Sequence, residues 1–238
     1  MKHFLVAGCA ILSLAADATA NSGSTVDFNA TTNEVIVTNC SFGYETAVVS
    51  LAAGGSLLIV EHSNADDLEL DLTSNSVERI IFYGDSDADY FDNQTALPTF
   101  AFGGAGDDTL LGGFGIDTMY GETGDDYLSG NSGDDRLYGG DDDDMLIGGP
   151  DDDDLFGDQG RDDLFGEAGR DLLDSGSDPS EGSLSGGPGA DDAYETGSFT
   201  TSFRPVRGGG TRSQRSGPTY EFFDLGGQRG DRLHIVKR

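Results

Sequence analysis

A nine-residue unit repeats eight times between Gly103 and Asp174, with no insertion or deletion between units. Written from its first glycine, the unit reads GGAGDDTLL, GGFGIDTMY, GETGDDYLS, GNSGDDRLY, GGDDDDMLI, GGPDDDDLF, GDQGRDDLF and GEAGRDLLD. Position one is always Gly, position six is always Asp, and position eight is always Leu or Met. A strict period this short predicts a solenoid whose stacked turns bury the same position in every unit.

The unit offers oxygen ligands for a hard cation. Gly at positions one, two and often four permits positive φ, so the first six residues are expected to form a tight loop with carbonyls aimed inward. Position six adds the carboxylates of Asp108, Asp117, Asp126, Asp135, Asp144, Asp153, Asp162 and Asp171. The units contain no His or Cys. A flexible all-oxygen shell suits Ca²⁺ better than Mg²⁺.

Positions seven to nine are expected to form a short strand. Alternation along a strand sends position eight to one side and positions seven and nine to the other. Position eight is the one that is always aliphatic, so it is predicted to form the core. Position nine faces outward, in one row with Tyr120, Tyr138 and Phe156 and in another with Leu111, Ser129, Ile147 and Phe165. The aromatic row is either a covered structural ladder or a surface for a glycan or protein.

These units resemble the calcium-binding RTX, or hemolysin-type, repeat family, whose consensus is G-G-x-G-x-D-x-hydrophobic-x. The resemblance is close over residues 103–174 and loose over about 84–194. It implies an all-β fold, a right-handed parallel β-roll or β-solenoid in which two units make one turn. Each Ca²⁺ would then lie between loops eighteen residues apart, which is two units of this sequence.

Carried over by position, the resemblance implies roughly six interior Ca²⁺ sites. They would be shared by the pairs Asp108/Asp126, Asp117/Asp135, Asp126/Asp144, Asp135/Asp153, Asp144/Asp162 and Asp153/Asp171. Degenerate units at 84–92 and 186–194 add Asp89 and Asp191 at position six. The implied backbone ligands come from Gly104, Gly106, Gly113, Gly115, Gly124, Gly133, Gly140 and Gly149.

Two units depart from the consensus. Asp142 and Asp151 stand where the fourth-position Gly belongs, and Pro150 fills a third position. A non-Gly residue at positive φ is strained, although Asp is among the least penalised. These two loops are expected either to bind calcium more weakly or to bind it with an added side-chain ligand.

Charge predicts how the repeats behave without metal. Residues 103–174 carry 22 acidic residues against three arginines, a net charge of −19. Eight small core residues are not expected to offset that repulsion, so calcium binding should also be folding. A merely acidic low-complexity segment is the alternative, but such a segment would not keep an aliphatic residue at position eight of every unit.

Residues 1–20 (MKHFLVAGCAILSLAADATA) read as a Sec-type signal peptide, with a basic start, an apolar run and an Ala18-Thr19-Ala20 cleavage site. They predict a secreted or extracellular protein, with periplasm or cell surface as alternatives. Val6-Ala7-Gly8-Cys9 imitates a lipoprotein box, but Cys9 comes too early for an adequate apolar region. Cys40 then remains without an intrachain partner, and no other stretch is apolar enough to cross a membrane.

The flanking segments are predicted to close the array. Residues 21–83 form a β-rich N-terminal cap, with a hairpin or a solenoid corner at Gly54-Gly55 and strands at Glu34–Thr38, Thr46–Leu51, Ser56–Glu61, Leu68–Leu72 and Val77–Tyr83. The predicted roll spans residues 84–194, in which Gln94–Phe102 keeps the strand but loses the calcium loop. Residues 195–238 form a basic flexible linker and capping strands that place Phe222, Phe223, Leu233 and Ile235 over the last coil.

Function follows from the repeats, because no catalytic motif accompanies them. The chain contains neither HExxH nor GxSxG, and His62 and His234 are interpreted as surface residues. A net charge of −31 disfavours nucleic acid as a partner. The sequence therefore predicts a secreted, non-enzymatic calcium-binding β-roll with a structural or adhesive role. A calcium-dependent extracellular enzyme, or an accessory module of a secreted toxin or hydrolase, is the alternative.

Overall fold

The computed structural model describes residues 24–39, 45–52, 55–63, 68–73, 76–176, 182–189, 191–194, 212–214, 220–223 and 234–237. Within these ranges the regular structure is β-strand throughout. In the same ranges there is no helix with the length and apolar character needed to cross a membrane. The predicted signal peptide at residues 1–20, and Cys40, lie outside the described residues.

The strands of the described residues are numbered in chain order. Those before the regular repeats are β1 (Thr25–Asn29), β2 (Glu34–Thr38), β3 (Glu45–Leu51), β4 (Leu57–His62), β5 (Leu68–Asp71), β6 (Arg79–Tyr83), β7 (Asp89–Asn93) and β8 (Thr99–Ala105). Those of the repeats are β9 (Thr109–Gly113), β10 (Thr118–Thr123), β11 (Tyr127–Asn131), β12 (Arg136–Asp141), β13 (Met145–Pro150), β14 (Asp154–Gln159), β15 (Asp163–Ala168) and β16 (Leu172–Asp174). The last are β17 (Ser183–Ser185), β18 (Asp192–Tyr194), β19 (Arg212–Gln214), β20 (Tyr220–Phe223) and β21 (His234–Lys237).

Consecutive strands of the repeats alternate between two sheets, so each strand pairs with the strand two units away. Strand β10 lies parallel between β8 and β12, with Met119 opposite Ala101 and Leu137. Strand β11 lies in the same way between β9 and β13 in the second sheet. The predicted parallel β-solenoid is therefore confirmed, with about six turns and two units in each turn.

The core lies between the two sheets, and each unit contributes one side chain to it. Every position-eight residue is fully buried, as predicted, namely Leu110, Met119, Leu128, Leu137, Leu146, Leu155, Leu164 and Leu173. The N-terminal turns extend this core with larger side chains, including Phe82 and Phe91, whose stacked ring centroids lie 4.7 Å apart. The hydrophobic core is thus thick at the N-terminal end and thin along the repeats.

The N-terminal strands continue the two sheets of the roll. Strands β2 and β3 pair in parallel with β6 and β7, while the β3–β4 and β4–β5 connections are antiparallel hairpins. The turn before β4 places Gly55 at φ 70°, so the hairpin is confirmed over the solenoid corner. Strand β2 has the predicted bounds, and β3 to β6 differ from prediction by at most two residues at an end. Strand β1 was missing from the prediction.

The repeat strands are longer than positions seven to nine. Strand β10 runs from position seven of one unit to position three of the next, and Glu122 and Thr123 pair with Gly140 and Asp141. Position two takes positive φ even where it is not Gly, at Glu122, Asn131, Asp158 and Glu167. The prediction of a six-residue loop was wrong, because the backbone of positions two and three pairs with neighbouring turns.

At the C-terminal end the larger sheet continues through β18, β19, β20 and β21. The backbones of Phe222 and Ile235 pair antiparallel within β20 and β21. Leu233 and most of the predicted linker lie outside the described residues. The predicted contact of these apolar side chains with the last coil stays a prediction.

Candidate metal centre

The position-six aspartates form two buried columns, one along each row of loops. The first column contains Asp89, Asp108, Asp126, Asp144 and Asp162, and the second contains Asp117, Asp135, Asp153, Asp171 and Asp191. Each of these residues is at most 3% exposed. Carboxylates buried this deeply need compensation by hydrogen bonds or by a cation.

One oxygen of each carboxylate is held by the turn before it. Oδ1 of Asp126 accepts the backbone N–H of Asp108 at 2.7 Å, and Oδ1 of Asp135 accepts that of Asp117 at 2.7 Å. The same bond joins Asp126 to Asp144, Asp135 to Asp153, Asp144 to Asp162 and Asp153 to Asp171, at 2.8 to 3.1 Å. The structure therefore brings together all six predicted pairs in the predicted eighteen-residue register.

At seven of the described carboxylates the other oxygen has no such bond. Within the described residues, Oδ2 is buried and accepts no hydrogen bond at Asp108, Asp117, Asp126, Asp135, Asp144, Asp153 and Asp171. No three acidic, His or Cys side chains of the described part of the chain converge on one point. An ion between two turns would therefore be held by Oδ2 atoms and by backbone carbonyls. That all-oxygen donor set fits Ca²⁺.

Glycine at position one is required by space. A Cβ at Gly103 or Gly121 would come within 3.0 Å of Oδ2 of the aspartate five residues later, Asp108 or Asp126. Position one does not take positive φ in the described repeats, so the conformational reason given for it from the sequence was wrong. The residue type at position one is thus fixed by the carboxylate at position six.

The predicted backbone ligands lie in the space between successive loops. The carbonyl oxygens of Gly106 and Gly115 lie against Gly124 and Gly133 of the next turn, where a Cβ would clash. Gly104, Gly113, Gly140 and Gly149 take positive φ at position two. The structure places these glycines against the backbone of the neighbouring turn, and their role as metal ligands stays a prediction.

Burial raises the pKa of the position-six carboxyls far above the ordinary value of 3.8. Desolvation is the main cause, and like charges in the column add to it, whereas the hydrogen bond from the preceding turn lowers the pKa. The pKa is raised to about 8 at Asp108, Asp117, Asp144 and Asp153. It is raised to about 7 at Asp126 and Asp135, and to about 6 at Asp171. In the folded chain these carboxyls are therefore harder to ionise than exposed aspartates.

A second, exposed ladder lies outside the buried columns and was missed from the sequence. Oδ1 of Asp134 accepts the backbone N–H of Asp152 at 3.2 Å, and Asp152 accepts that of Arg170 at 2.9 Å. The Arg170 guanidinium also pairs with Asp152 at 3.1 Å. Asp107, Asp125, Asp143 and Arg161 form the matching row. Asp134 is therefore more than a solvated charge, although it remains exposed.

Asp142 and Asp151 adopt the strained backbone that the sequence predicts, at φ 83° and 87°. Their carbonyl oxygens lie against Gly160 and Gly169 of the next turn. Burial is the largest cause of the raised pKa of Asp126, and the charge of Asp142 raises it further. Asp151 acts in the same way on Asp135. These extra carboxylates therefore lie close enough to the buried columns to add negative charge to two neighbouring loops.

Asp89 differs from the other members of its column. Both of its oxygens accept hydrogen bonds, Oδ1 from the Asn39 side chain at 2.9 Å and Oδ2 from the Asp85 backbone at 3.0 Å. His62 lies beside Asn39 and is only 7% exposed, so its interpretation as a surface residue was wrong. The hairpin that carries His62 turns it toward the end of the column, which the sequence pattern did not reveal.

The parallel solenoid and its two carboxylate columns define a calcium-binding β-roll. The family model of the RTX calcium-binding nonapeptide repeat (4 copies) matches residues 102–137, 120–155 and 147–178. These residues belong to that family, so the resemblance expected from the motifs is confirmed. Comparison with curated proteins and with solved structures found no match.

Replacing Asp135 by alanine is expected to weaken calcium binding strongly. Asp135 pairs with both Asp117 and Asp153, so two neighbouring sites lose a carboxylate. We expect the affinity of these sites to fall by roughly 100-fold or more, because even the partners of metal ligands are worth about 10- to 100-fold. Isothermal titration calorimetry measures the change.

Asp134→Ala is the matched control, one residue earlier and exposed. It loses one exposed hydrogen bond to Asp152, so its effect on affinity should stay within about threefold. Equal losses in the two variants would show that charge density governs binding, and not the nine-residue register.

The metal-free roll is expected to be more stable in acid than at alkaline pH. The folded-state pKa of Asp108, Asp117, Asp144 and Asp153 is about 8, above the ordinary 3.8. The stability that these raised pKa values contribute to the fold is complete below the unfolded-state pKa, and it is lost as pH rises through the folded-state pKa. In chelator, far-UV circular dichroism should therefore show more β-structure at pH 5 than at pH 8.

Saturating Ca²⁺ should reverse this trend, because the ligands bind calcium only when they are deprotonated. The calcium-loaded protein is the control for acid effects on the rest of the chain. A metal-free β signal that falls on acidification would contradict the assignment of the buried, raised-pKa carboxyls.

Proposed function

We propose that this protein is exported, that calcium outside the cell folds its roll, and that the folded roll has a structural or adhesive role there. The observation that carries the proposal is the pair of columns in which Oδ2 atoms, such as those of Asp117 and Asp135, are buried without a hydrogen-bond donor. Ca²⁺ supplies the charge that these columns lack. Folding and metal binding are then one event.

The balance of forces along the repeats supports calcium-driven folding. Each unit buries one aliphatic side chain, while residues 103–174 carry a net charge of −19. The surface ion pairs of Arg136, Arg161 and Arg170 are exposed and contribute little to stability. Ions between the turns are the interaction that can hold this part of the chain together.

The proposed location follows from the N-terminal sequence and from calcium availability. Residues 1–20 have the pattern of a Sec-type signal peptide. Extracellular calcium modules bind at about 10⁻⁴ to 10⁻³ M, a concentration met outside cells. The repeats would thus stay unfolded during export and fold after it. Periplasm and cell surface are the alternative final locations.

An aromatic row on the outer face of the larger sheet supports the structural or adhesive role. The predicted row of Tyr120, Tyr138 and Phe156 is confirmed and extends to Phe102 and Tyr83. Neighbouring ring centroids lie 4.7 to 5.4 Å apart, and the ring planes differ by 10° or less. Such stacked pairs stabilise adjacent strands.

The stacking also restricts how the row could bind a partner. Each inner ring has both faces covered by its neighbours, so a sugar cannot stack on the face of Phe102, Tyr120 or Tyr138. The row offers ring edges and the hydroxyl groups of its tyrosines. A glycan or protein surface would therefore be bound through edge contacts and hydrogen bonds to hydroxyls.

Calcium titration tests the first part of the proposal. In excess chelator, residues 103–174 should be largely disordered, and millimolar Ca²⁺ should produce β signal in circular dichroism, with cooperativity between neighbouring turns. Mg²⁺ at the same concentration is the control, because the flexible oxygen shell favours the larger ion. A spectrum that does not change with calcium would refute calcium-driven folding.

Replacement of Tyr120 and Tyr138 by serine tests the adhesive role. If the row docks a partner, the double variant should lose binding to cell surfaces or glycan arrays while its calcium affinity stays within about twofold, since the tyrosines face away from the carboxylate columns. Replacement of both by phenylalanine keeps the stack and removes the hydroxyls, so it separates the two contributions. Loss of calcium-induced folding in the serine variant would make the row structural and remove the support for adhesion.

A further inference from the structure

Both carboxylate columns end, on their N-terminal side, at an asparagine side chain. In the second column Thr99 takes the place of the position-six aspartate, and its backbone N–H donates to Oδ1 of Asp117 at 2.6 Å. Asn93 lies beside Thr99. In the first column Asn39 lies against Asp89. Asn39 and Asn93 are each at most 2% exposed, so these amides belong to the buried columns.

The Asn93 amide donates both of its hydrogens within the loop at the N-terminal end of the second column. Its Nδ2 donates to the carbonyl of Leu97 at 2.8 Å and to Oγ1 of Thr99 at 2.9 Å. Its Oδ1 accepts the backbone N–H and the hydroxyl of Thr95 at 2.9 and 2.7 Å. The amide therefore binds oxygens of the kind that face the ion in the repeat loops, a carbonyl and a position-six side chain.

The strand register shows that the larger and the smaller side chain have changed places between positions one and six of this loop. Asp92 pairs with Leu111, so Asn93 follows it at the place of the position-one glycine, Gly112. In the repeats the large group is the aspartate at position six, and glycine is needed at position one to make room for it. Here the large group is Asn93, and position six carries the short Thr99. Asn93 and Thr99 thus occupy the places that a glycine and a carboxylate occupy in the repeats.

The first column ends in a similar way. Asn39 donates through Nδ2 to Oδ1 of Asp89, and its Oδ1 lies 2.5 Å from Nε2 of His62. The backbone N–H of Asp85 satisfies Oδ2 of Asp89, and the backbone N–H of Asp89 donates to Oδ1 of Asp108. Asp89 therefore has protein donors at both oxygens, unlike Asp108, whose Oδ2 accepts no hydrogen bond.

The turns next to these asparagines also have the larger apolar core. Buried Val35, Val49, Leu58, Ile80 and Phe91 lie before the regular repeats, where several hydrophobic residues share each layer. The repeats bury one aliphatic side chain per unit. Hydrophobic burial scales with apolar area, so the N-terminal turns have a driving force that does not depend on metal.

We infer that Asn39 and Asn93 close the two ion columns without metal, so that the first turns, with strands β1 to β8, keep their fold in the absence of calcium. These turns present formed edges at β7 and β8, on which the repeats assemble in register as calcium binds. Calcium binding then begins at the pairs Asp108/Asp126 and Asp117/Asp135, and Asp89 is not a calcium ligand. This inference rests on the proposed calcium-driven folding of the repeats.

Hydrogen exchange of the full chain, followed by mass spectrometry in chelator and in millimolar Ca²⁺, tests the inference. In chelator, amides of β2 to β4 and β6 to β8 should stay protected, while those of β9 to β15 should exchange at nearly the unfolded rate. Calcium should then protect β9 to β15. Joint loss of protection in both regions would overturn the inference alone, whereas protection of both regions in chelator would overturn the proposed function with it.

Asn93→Asp tests the role of the amide. The change is isosteric, but it removes the two donated hydrogens and adds a buried charge beside Leu97 and Thr99. In chelator, protection of β7 and β8 should fall by about tenfold or more. Millimolar Ca²⁺ should restore it, since the new carboxylate resembles those of the repeats.

Gln94→Glu is the matched control, because it makes the same change of charge on the exposed neighbour of Asn93. Its exchange in chelator should match that of the unmodified chain. An Asn93→Asp variant that keeps its protection in chelator would overturn the inference, as would a variant that loses protection and does not regain it with calcium.

Discussion

The structure depends on one geometric constraint, which is that each residue of a turn is stacked on the equivalent residue of the next turn. A parallel solenoid with two nine-residue units per turn places each residue above its equivalent eighteen positions away. For the position-six carboxylates this stacking is unfavourable, because it buries a column of like charges from Asp108 to Asp162. The bond from each backbone N–H to the next Oδ1 offsets part of the cost. The remaining oxygen of Asp108, Asp126 and Asp144 is buried and accepts no hydrogen bond, which is why we propose that the metal is part of the fold.

The sequence was sufficient for the features that repeat. The strict period predicted the solenoid and the fully buried position eight, and the resemblance to the RTX family implied the eighteen-residue register of the aspartate pairs. The structure confirms each of these. These features depend on residue type and spacing along the chain. Strand β2 was also predicted with its observed bounds, because it is a short β-like run of β-branched residues, Val35, Ile36 and Val37. The ion count and the identity of individual ligands stay predictions.

The features that depend on contact between turns could not be predicted from one unit. Glycine at Gly103 is set by Oδ2 of Asp108, and the strand extends through Glu122 because the neighbouring turn supplies partners. The burial of His62 depends on a hairpin that carries it over the end of a column. The Asn93–Thr99 exchange has a sequence signal, a missing Gly and a missing Asp in one unit, but its meaning requires the register.

The same stacking has opposite consequences on the two sides of the sheet. On the outer face it aligns Tyr120 with Tyr138 at 4.7 Å, where parallel rings attract each other and add to strand pairing. In the loops it aligns carboxylates, where the interaction is repulsive until an ion intervenes. At the N-terminal ends of the columns the structure places amides, with Asn39 beside Asp89 and Asn93 beside Thr99. If calcium folds the repeats as we propose, such an end gives the first carboxylate of a column protein donors on the side where no further ion lies, as Asn39 and Asp85 do for Asp89.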